Sequence, residues 1–208
     1  MKRTVVLPVA LIAAGLTLSA CAGSSKTTPS SSGSSHSMSG TGSPSASPNS
    51  TTGMAGHNSA DISFAQLMVP HHRQALEMAK LAGSRASSTE VKQLAAKIQA
   101  AQQPEIDTMT RWLTSWHQSV PMGEMMGQGM SGGSGMMTHD QMSQLMGASG
   151  PDFDRMFLTM MISHHTGAIA MANDEVRRGQ DSAAQGLAGK IAADQTEELA
   201  QMQRMLAG

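Results

Sequence analysis

Several residue types are scarce in this 208-residue chain, and each shortage argues against a class of function. The single cysteine, Cys21, permits no disulfide within the chain and no thiolate metal cluster. Tyrosine is absent, only three phenylalanines and two tryptophans occur, and the net charge is −1 at pH 7 without any basic run. Phosphate neutralisation and base stacking both lack their residues, so we expect no nucleic-acid partner.

An export signal is predicted at the N-terminus. Two basic residues precede an apolar run, residues 5–18, which is shorter than the about 20 residues that a membrane-spanning helix needs. This pattern is typical of a secretory signal peptide, here residues 1–20. The sequence Leu-Ser-Ala-Cys that ends at Cys21 resembles the bacterial lipobox, which favours lipidation over an ordinary cleaved signal with a leftover cysteine. We therefore expect a lipid anchor on the extracytoplasmic face of a bacterial cell membrane.

A low-complexity segment follows the signal. Residues 21–60 consist mostly of serine, threonine, glycine and proline, with little apolar surface to bury. Such a segment cannot offset the entropy lost on ordering, so it is predicted to be a disordered tether. The folded part is then one domain, residues 61–208.

That domain contains a duplication with a constant offset of 93 residues. Each copy holds two adjacent histidines flanked by methionines. Further downstream, Lys97 and Glu105 recur as Lys190 and Glu198. The upstream sets are Asp61, Phe64, Met68, His71, His72, Ala75, Met78 and Ala79, and then Asp154, Phe157, Met161, His164, His165, Ala168, Met171 and Ala172.

The repeated residues have helical spacing. At about 100° per residue, those of the first segment lie within an arc of roughly 120°. Capping boxes at 87–90 and 182–185, and glycines at Gly83 and Gly179, mark helix ends. The pattern predicts an all-α, ferritin-like four-helix bundle of two repeated hairpins. The expected helices are 61–82, 88–118, 152–178 and 182–207.

Two prolines complicate these helices. Pro70 and Pro104 each remove a backbone hydrogen bond, directly before His71 and Glu105. A kink or bulge there would reorient the polar neighbour. Alternatively, the first helix begins near Val69 and the preceding residues form a separate turn.

The connection between the hairpins, residues 119–150, is rich in methionine and glycine. On a polar, glycine-rich loop these methionines have no core to fill, so packing explains them poorly. The polarizable residues of this loop are Met122, Met125, Met126, Met130, Met136, Met137, His139, Met142 and Met146.

Four imidazoles on the inward faces of a small bundle each need a partner, because an unpartnered one costs about 1–3 kcal/mol. Hydrogen bonding is one solution, and the available partners are Glu105, Glu198, Asp61, Asp154, Gln102 and Gln195. The paired arrangement favours a metal instead. Met68 lies one turn from His72, and Met161 one turn from His165, which would give a soft site of nitrogen and sulfur donors.

Other metals fit the sequence less well. Calcium or magnesium would need an acidic loop, and structural zinc would need cysteines or a closed set of histidine and cysteine. A di-iron carboxylate site uses paired Glu-x-x-His motifs, and a zinc protease uses His-Glu-x-x-His, but the sequence contains neither. Copper, preferably Cu(I), remains the leading candidate, with silver as its mimic.

The two histidine motifs also resemble a known family. FAQLMVPHHRQALEMA at 64–79 and FLTMMISHHTGAIAMA at 157–172 are similar to the signature of the bacterial domain-of-unknown-function 305 family. This resemblance implies an exported, ferritin-like four-helix fold over about residues 60–208. Some members are described as periplasmic copper binders involved in metal resistance. The ligands it implies are His71, His72, His164 and His165, with Met68, Met78, Met161 and Met171 as helpers.

We therefore expect a lipoprotein that binds copper and either buffers it or hands it on, with a copper donor or acceptor protein as a partner. The loop methionines would capture Cu(I) weakly and exchange it with the bundle, while Glu105 and Glu198 orient imidazoles or serve as ligands. Two alternatives stay open. One is a helical surface protein whose methionine loop docks a protein partner without metal. The other is a ferritin-like di-metal oxidoreductase that uses the glutamates and histidines. No catalytic residue is predicted, and the sequence leaves the oligomeric state open.

Overall fold

The computed structural model describes residues 56–121 and 135–208, and in these ranges the chain is helical without any β-strand. The all-α bundle of two repeated hairpins is thus confirmed. α1 and α2 form the first hairpin, α4 and α5 form the second, and the short α3 precedes the second. The helices are α1 Ser59–Arg85, α2 Thr89–Ser115, α3 His139–Gly147, α4 Gly150–Arg178 and α5 Ser182–Ala207.

Several sequence predictions fall outside the described residues. These are the signal peptide, the lipidation site Cys21, the tether as far as residue 55, and loop residues 122–134. Within the described part, no helix combines the length and the apolar character needed to cross a membrane.

The helix ends differ slightly from the predicted ones. Asn58 caps α1 in a capping box with Asp61. The cap of α2 is Ser88, one residue after the predicted position, and the cap of α5 is Asp181, one residue before it. Gly179 does end α4, but α1 continues through Gly83 to Arg85. Both observed caps are side-chain acceptors directly next to the predicted ones, so each predicted cap was wrong by one residue.

Both prolines lie inside continuous helices. α1 starts at Ser59, so the alternative start near Val69 is wrong. Pro70 and its neighbours Val69 and His71 are all buried, and this burial holds the helix together across the missing backbone hydrogen bond. α2 likewise continues through Pro104.

The first helix of each hairpin is fastened to the turn of the other hairpin. Asp61 at the start of α1 accepts hydrogen bonds from the backbone N–H groups of Gln180 and Asp181, each at 3.0 Å. Asp154 near the start of α4 accepts equivalent bonds from the backbone N–H groups of residues 87 and 88, at 3.1 and 2.9 Å. The donors of these two sets are themselves 93 residues apart. α1 and α4 therefore lie antiparallel against each other, related by the internal repeat.

The core forms two apolar clusters. The first cluster includes Met78 and Met161, and the second includes Met68 and Met109. Along α1 and along α4, the paired histidines fall between residues of one cluster and residues of the other. The four imidazoles thus form a polar layer between two apolar ones.

The connection between hairpins is partly built into the core, contrary to the sequence prediction. Met137 is only 8% exposed and packs in the first cluster, as does Leu145 of α3. Gln74 holds Met137 through two hydrogen bonds with its backbone, 2.7 and 2.8 Å long. Thr138 and Gln141 form a capping box that starts α3. Such a capping box is a helix signal in the sequence, and it lies within the segment that we predicted to be a loop.

Candidate metal centre

The paired histidines of α1 and α4 meet at the centre of the bundle. All four imidazoles are fully buried. The rings of His71 and His164 are in contact across the repeat boundary, with centroids 3.7 Å apart. Each lies 6.4 Å from the ring of its sequence neighbour, His72 or His165. The two copies of the motif therefore build one continuous layer rather than two distant sites.

In each pair, a glutamate fixes the imidazole of the second histidine. His72 Nε2 lies 3.0 Å from Glu105 Oε2, and His165 Nε2 lies 2.9 Å from Glu198 Oε2. A carboxylate only accepts hydrogen bonds, so each Nε2 must carry the proton. In the neutral ring Nδ1 then carries a lone pair. The Nδ1 atoms of His72 and His165 are buried, and neither has a hydrogen-bond partner among the described residues.

Burial keeps His72 and His164 in the form that can bind a metal. It lowers the pKa of His72, although hydrogen bonding to Glu105 opposes the shift. Burial, reinforced by the three neighbouring imidazoles, holds the pKa of His164 well below its usual value. Both rings are therefore neutral at pH 7, and neutral imidazole is the metal-binding form of histidine.

A lysine from the opposite hairpin approaches each of these glutamates. Lys190 Nζ of α5 lies 3.5 Å from Glu105 Oε1, and Lys97 Nζ of α2 lies 3.7 Å from Glu198 Oε1. Each lysine–glutamate–histidine triplet thus contains residues of both repeats. The two triplets are related by the 93-residue offset.

The four predicted methionines group across the repeat rather than within it. Met68, Met78 and Met161 are fully buried, whereas Met171 is partly exposed. Met68 and Met171 belong to the second apolar cluster, and Met78 and Met161 belong to the first. Each of the two apolar clusters therefore contains one of these methionines from each repeat.

The other four predicted hydrogen-bond partners lie in different surroundings. Asp61 and Asp154 cap the interhairpin turns instead. The amide of Gln102 is buried without a partner among the described residues, as is Oε1 of Gln195. Of the six acceptors considered, the two glutamates bond to imidazoles, Glu105 to His72 and Glu198 to His165.

Some residues of the site were missed by sequence reasoning. Lys97 and Lys190 were visible in the duplication but were not read as part of the centre. Met109 and Met202 are also fully buried and related by the same offset. A repeat analysis restricted to invariant polar and sulfur-bearing residues would have selected all four.

The donor types present suit a soft metal ion, but in the described part of the chain they are not already arranged around one ion position. Within the described ranges, no three histidine, cysteine, aspartate or glutamate side chains are already grouped around a common ion position. Yet the Nδ1 atoms of His72 and His165 are buried without hydrogen-bond partners in the described structure. Coordination would satisfy these atoms, with thioethers from the adjoining layers completing the donor set.

Comparison with known proteins gives matches over the whole bundle. Residues 61–206 match the family described as Domain of unknown function (DUF305). No curated protein matches the chain. A DUF305 protein from Streptomyces coelicolor, described as secreted, is 31% identical, with 72% of this chain and 93% of that one covered and a TM-score of 0.65. A DUF305 fragment from Deinococcus radiodurans is 27% identical, with 74% and 99% covered and a TM-score of 0.65.

A third solved structure carries a metal. CopM in its Cu(II)-bound form is 34% identical, with 71% of this chain and 95% of that one covered and a TM-score of 0.62. CopM has also been solved in Cu(I)-bound and Ag-bound forms. These likenesses support a metal-binding role. Since the match extends over residues 61–206, the chain belongs to the DUF305 family.

Proposed function

We propose that this protein binds copper, as Cu(I) in preference, in the histidine layer between α1 and α4. The observation that carries the proposal is that the buried Nδ1 atoms of His72 and His165 have no hydrogen-bond partner among the described residues, while glutamates fix both rings through Nε2. A buried polar atom without a partner costs about 1–3 kcal/mol, so such a layer is better explained by a ligand than by packing.

The residues have distinct roles in this proposal. His71, His72, His164 and His165 supply nitrogen, and the flanking methionines supply the soft donors that suit Cu(I). Glu105 and Glu198 orient His72 and His165, since each carboxylate already bonds to Nε2. The likeness to CopM, solved with Cu(I), Cu(II) and Ag, supports copper as the metal.

The biological role follows from location and exchange. The Streptomyces relative is described as secreted, which supports an extracytoplasmic place for this protein. There it would buffer copper, or exchange it with a protein that donates or accepts the metal. Lipidation of Cys21, as the lipobox-like sequence predicts, would hold it at the membrane. Met136 lies half-buried at the described end of the connection, where it could pass Cu(I) between the loop and the bundle.

Copper titration of the protein starting after Cys21 tests the proposal. We expect tight Cu(I) binding under a competing chelator, together with a raised melting temperature, because a ligand of the native state stabilises it by mass action. Replacing all four layer histidines by alanine should remove tight binding while helicity is retained. As a control, exposed His139→Ala should bind like the wild type. Tight binding that survives the fourfold change would refute the assignment.

A further inference from the structure

The two lysines that reach across the repeat boundary distinguish this layer from an ordinary histidine–glutamate pair. The Glu105 and Glu198 side chains are only 9% and 4% exposed, while those of Lys190 and Lys97 are 59% and 54% exposed. Each ammonium group therefore approaches a buried carboxylate from the solvent side. A lysine there is unnecessary for the histidine–glutamate hydrogen bond, which uses the other carboxylate oxygen.

The lysines determine the charge of the layer. With neutral imidazoles, two carboxylates and two ammonium groups leave it without net charge. A monovalent ion then adds one positive charge to a buried region and a divalent ion adds two. Without the lysines, the same layer would carry two negative charges and would attract a divalent ion more strongly.

We infer that Lys97 and Lys190 are positioning and specificity residues that bias the histidine layer toward a monovalent rather than a divalent metal ion. The inference rests on the proposed function and adds a selection between charge states to it. Neither lysine is a ligand. Each acts through the glutamate that it neutralises, and each is supplied by the hairpin that does not contain that glutamate.

The two lysine–glutamate–histidine triplets are not equivalent, and the difference between the two lysines makes the inference testable. Lys190 also donates to Asp194 at 2.5 Å. Ala101 occupies the corresponding position of the first repeat, so Lys97 has no aspartate there. Because Asp194 shares the charge of Lys190, removal of Lys97 should have the larger effect.

The experiment compares Cu(I) and Cu(II) dissociation constants, each measured with a competing chelator, in Lys97→Met, Lys190→Met and the double variant. A unit charge about 10 Å from an ion at an effective dielectric constant near 20 changes binding by on the order of tenfold, and less where solvent screens it. We expect each change to shift the Cu(I)-to-Cu(II) affinity ratio toward Cu(II) by roughly three- to tenfold, with the larger shift for Lys97. Lys97→Arg should retain the wild-type ratio.

Matched variants separate the possible outcomes. Lys92→Met removes an exposed lysine from the same helix and should leave the ratio unchanged. Lys97→Gln repeats the test with a polar side chain, and circular dichroism verifies folding. Equal weakening of both ions, or an arginine variant that behaves like the methionine variant, overturns the inference but leaves the proposed function intact. If the wild type binds neither ion, both fail.

Discussion

At the scale of single residues, the glutamate–histidine bond decides which ring nitrogen is available. Glu105 and Glu198 accept from Nε2 of their imidazoles, and this leaves Nδ1 facing the layer without a proton. The sequence considered both glutamates as orienting partners, and each one does accept a hydrogen bond from an imidazole, while the orienting role toward a metal stays a prediction. The alternative, in which the glutamates ligate the metal directly, stays a prediction.

Glu105→Gln tests this orientation. A glutamine amide can donate as well as accept, so it no longer dictates the tautomer of His72. Loss of such a partner typically lowers metal affinity about 10- to 100-fold, and we expect a decrease of that size for Cu(I) with little change in helicity. Glu77→Gln, an exposed position on α1, the helix that contains His72, is the control. An affinity equal to that of the wild type would show that the tautomer is fixed by other contacts.

Two glycines that the sequence treated alike have opposite roles. A Cβ at Gly179 would lie 2.8 Å from the backbone oxygen of Glu175 and would also collide with its carboxylate, whereas a Cβ at Gly83 would meet nothing within 4 Å. We expect Gly179→Ala to destabilise the protein by about 1–3 kcal/mol through overpacking. Gly83→Ala should stabilise α1 by roughly 0.5–1 kcal/mol. Urea unfolding measures both, and equal effects would contradict the contacts at Gly179.

At the scale of elements, the contact between α1 and the α4–α5 turn contains a pair of carboxyl groups that the other half of the molecule lacks. Burial alone would raise the pKa of Asp61, but hydrogen bonds from Glu175 and from the backbone of Asn58, Gln180 and Asp181 lower it overall. Glu175 is 1% exposed, and Ala82 occupies its position in the first repeat. Burial and the proximity of Asp61 raise the pKa of Glu175 to about 8. Glu175 is therefore mostly protonated at neutral pH.

This pair predicts a loss of stability as the pH rises from about 4.5 to about 8. The folded-state pKa of Glu175 lies above its unfolded value, so its contribution is complete below about pH 4.5 and is lost as pH rises through about 8. Asp174 and Asp181 add to the repulsion once it ionises. We expect the unfolding free energy of the wild type to fall between pH 6 and 9. In Glu175→Gln this fall should be smaller by roughly 1–3 kcal/mol. Glu77→Gln should leave the decline unchanged, and the same slope in Glu175→Gln would argue against a raised pKa of Glu175.

The sequence predicted the elements well where a period or a repeat specified them. The four long helices and the inward placement of Glu105 and Glu198 followed from spacing, and those predictions are confirmed. The caps shifted by one residue because adjacent side chains compete for the same role. α3 was missed because its short apolar pattern, Met142 and Leu145, lies in a segment whose composition is typical of a loop.

At the scale of the whole molecule, a repeat reveals equivalent residues but not which copies meet. The sequence treated Met68 and Met78 as helpers of one histidine pair. In the fold each lies with a methionine of the other copy, because α1 and α4 are antiparallel. The same geometry joins Lys97 to Glu198 and Lys190 to Glu105. Contacts of this kind depend on how the hairpins are placed, and one chain's periodicity does not contain that information.

The joint layer makes a prediction about stoichiometry. Two independent centres would each use one histidine pair, so His71→Ala would remove one tight Cu(I) equivalent and leave the other. Because the rings of His71 and His164 touch, with centroids 3.7 Å apart, we expect one shared centre that either single change disrupts. His71→Ala and His164→Ala should each lose tight binding entirely, whereas exposed His139→Ala should not. Equilibrium titration with a chromophoric Cu(I) chelator counts the tight equivalents, and one equivalent that persists in either variant would mean that each repeat binds its own ion.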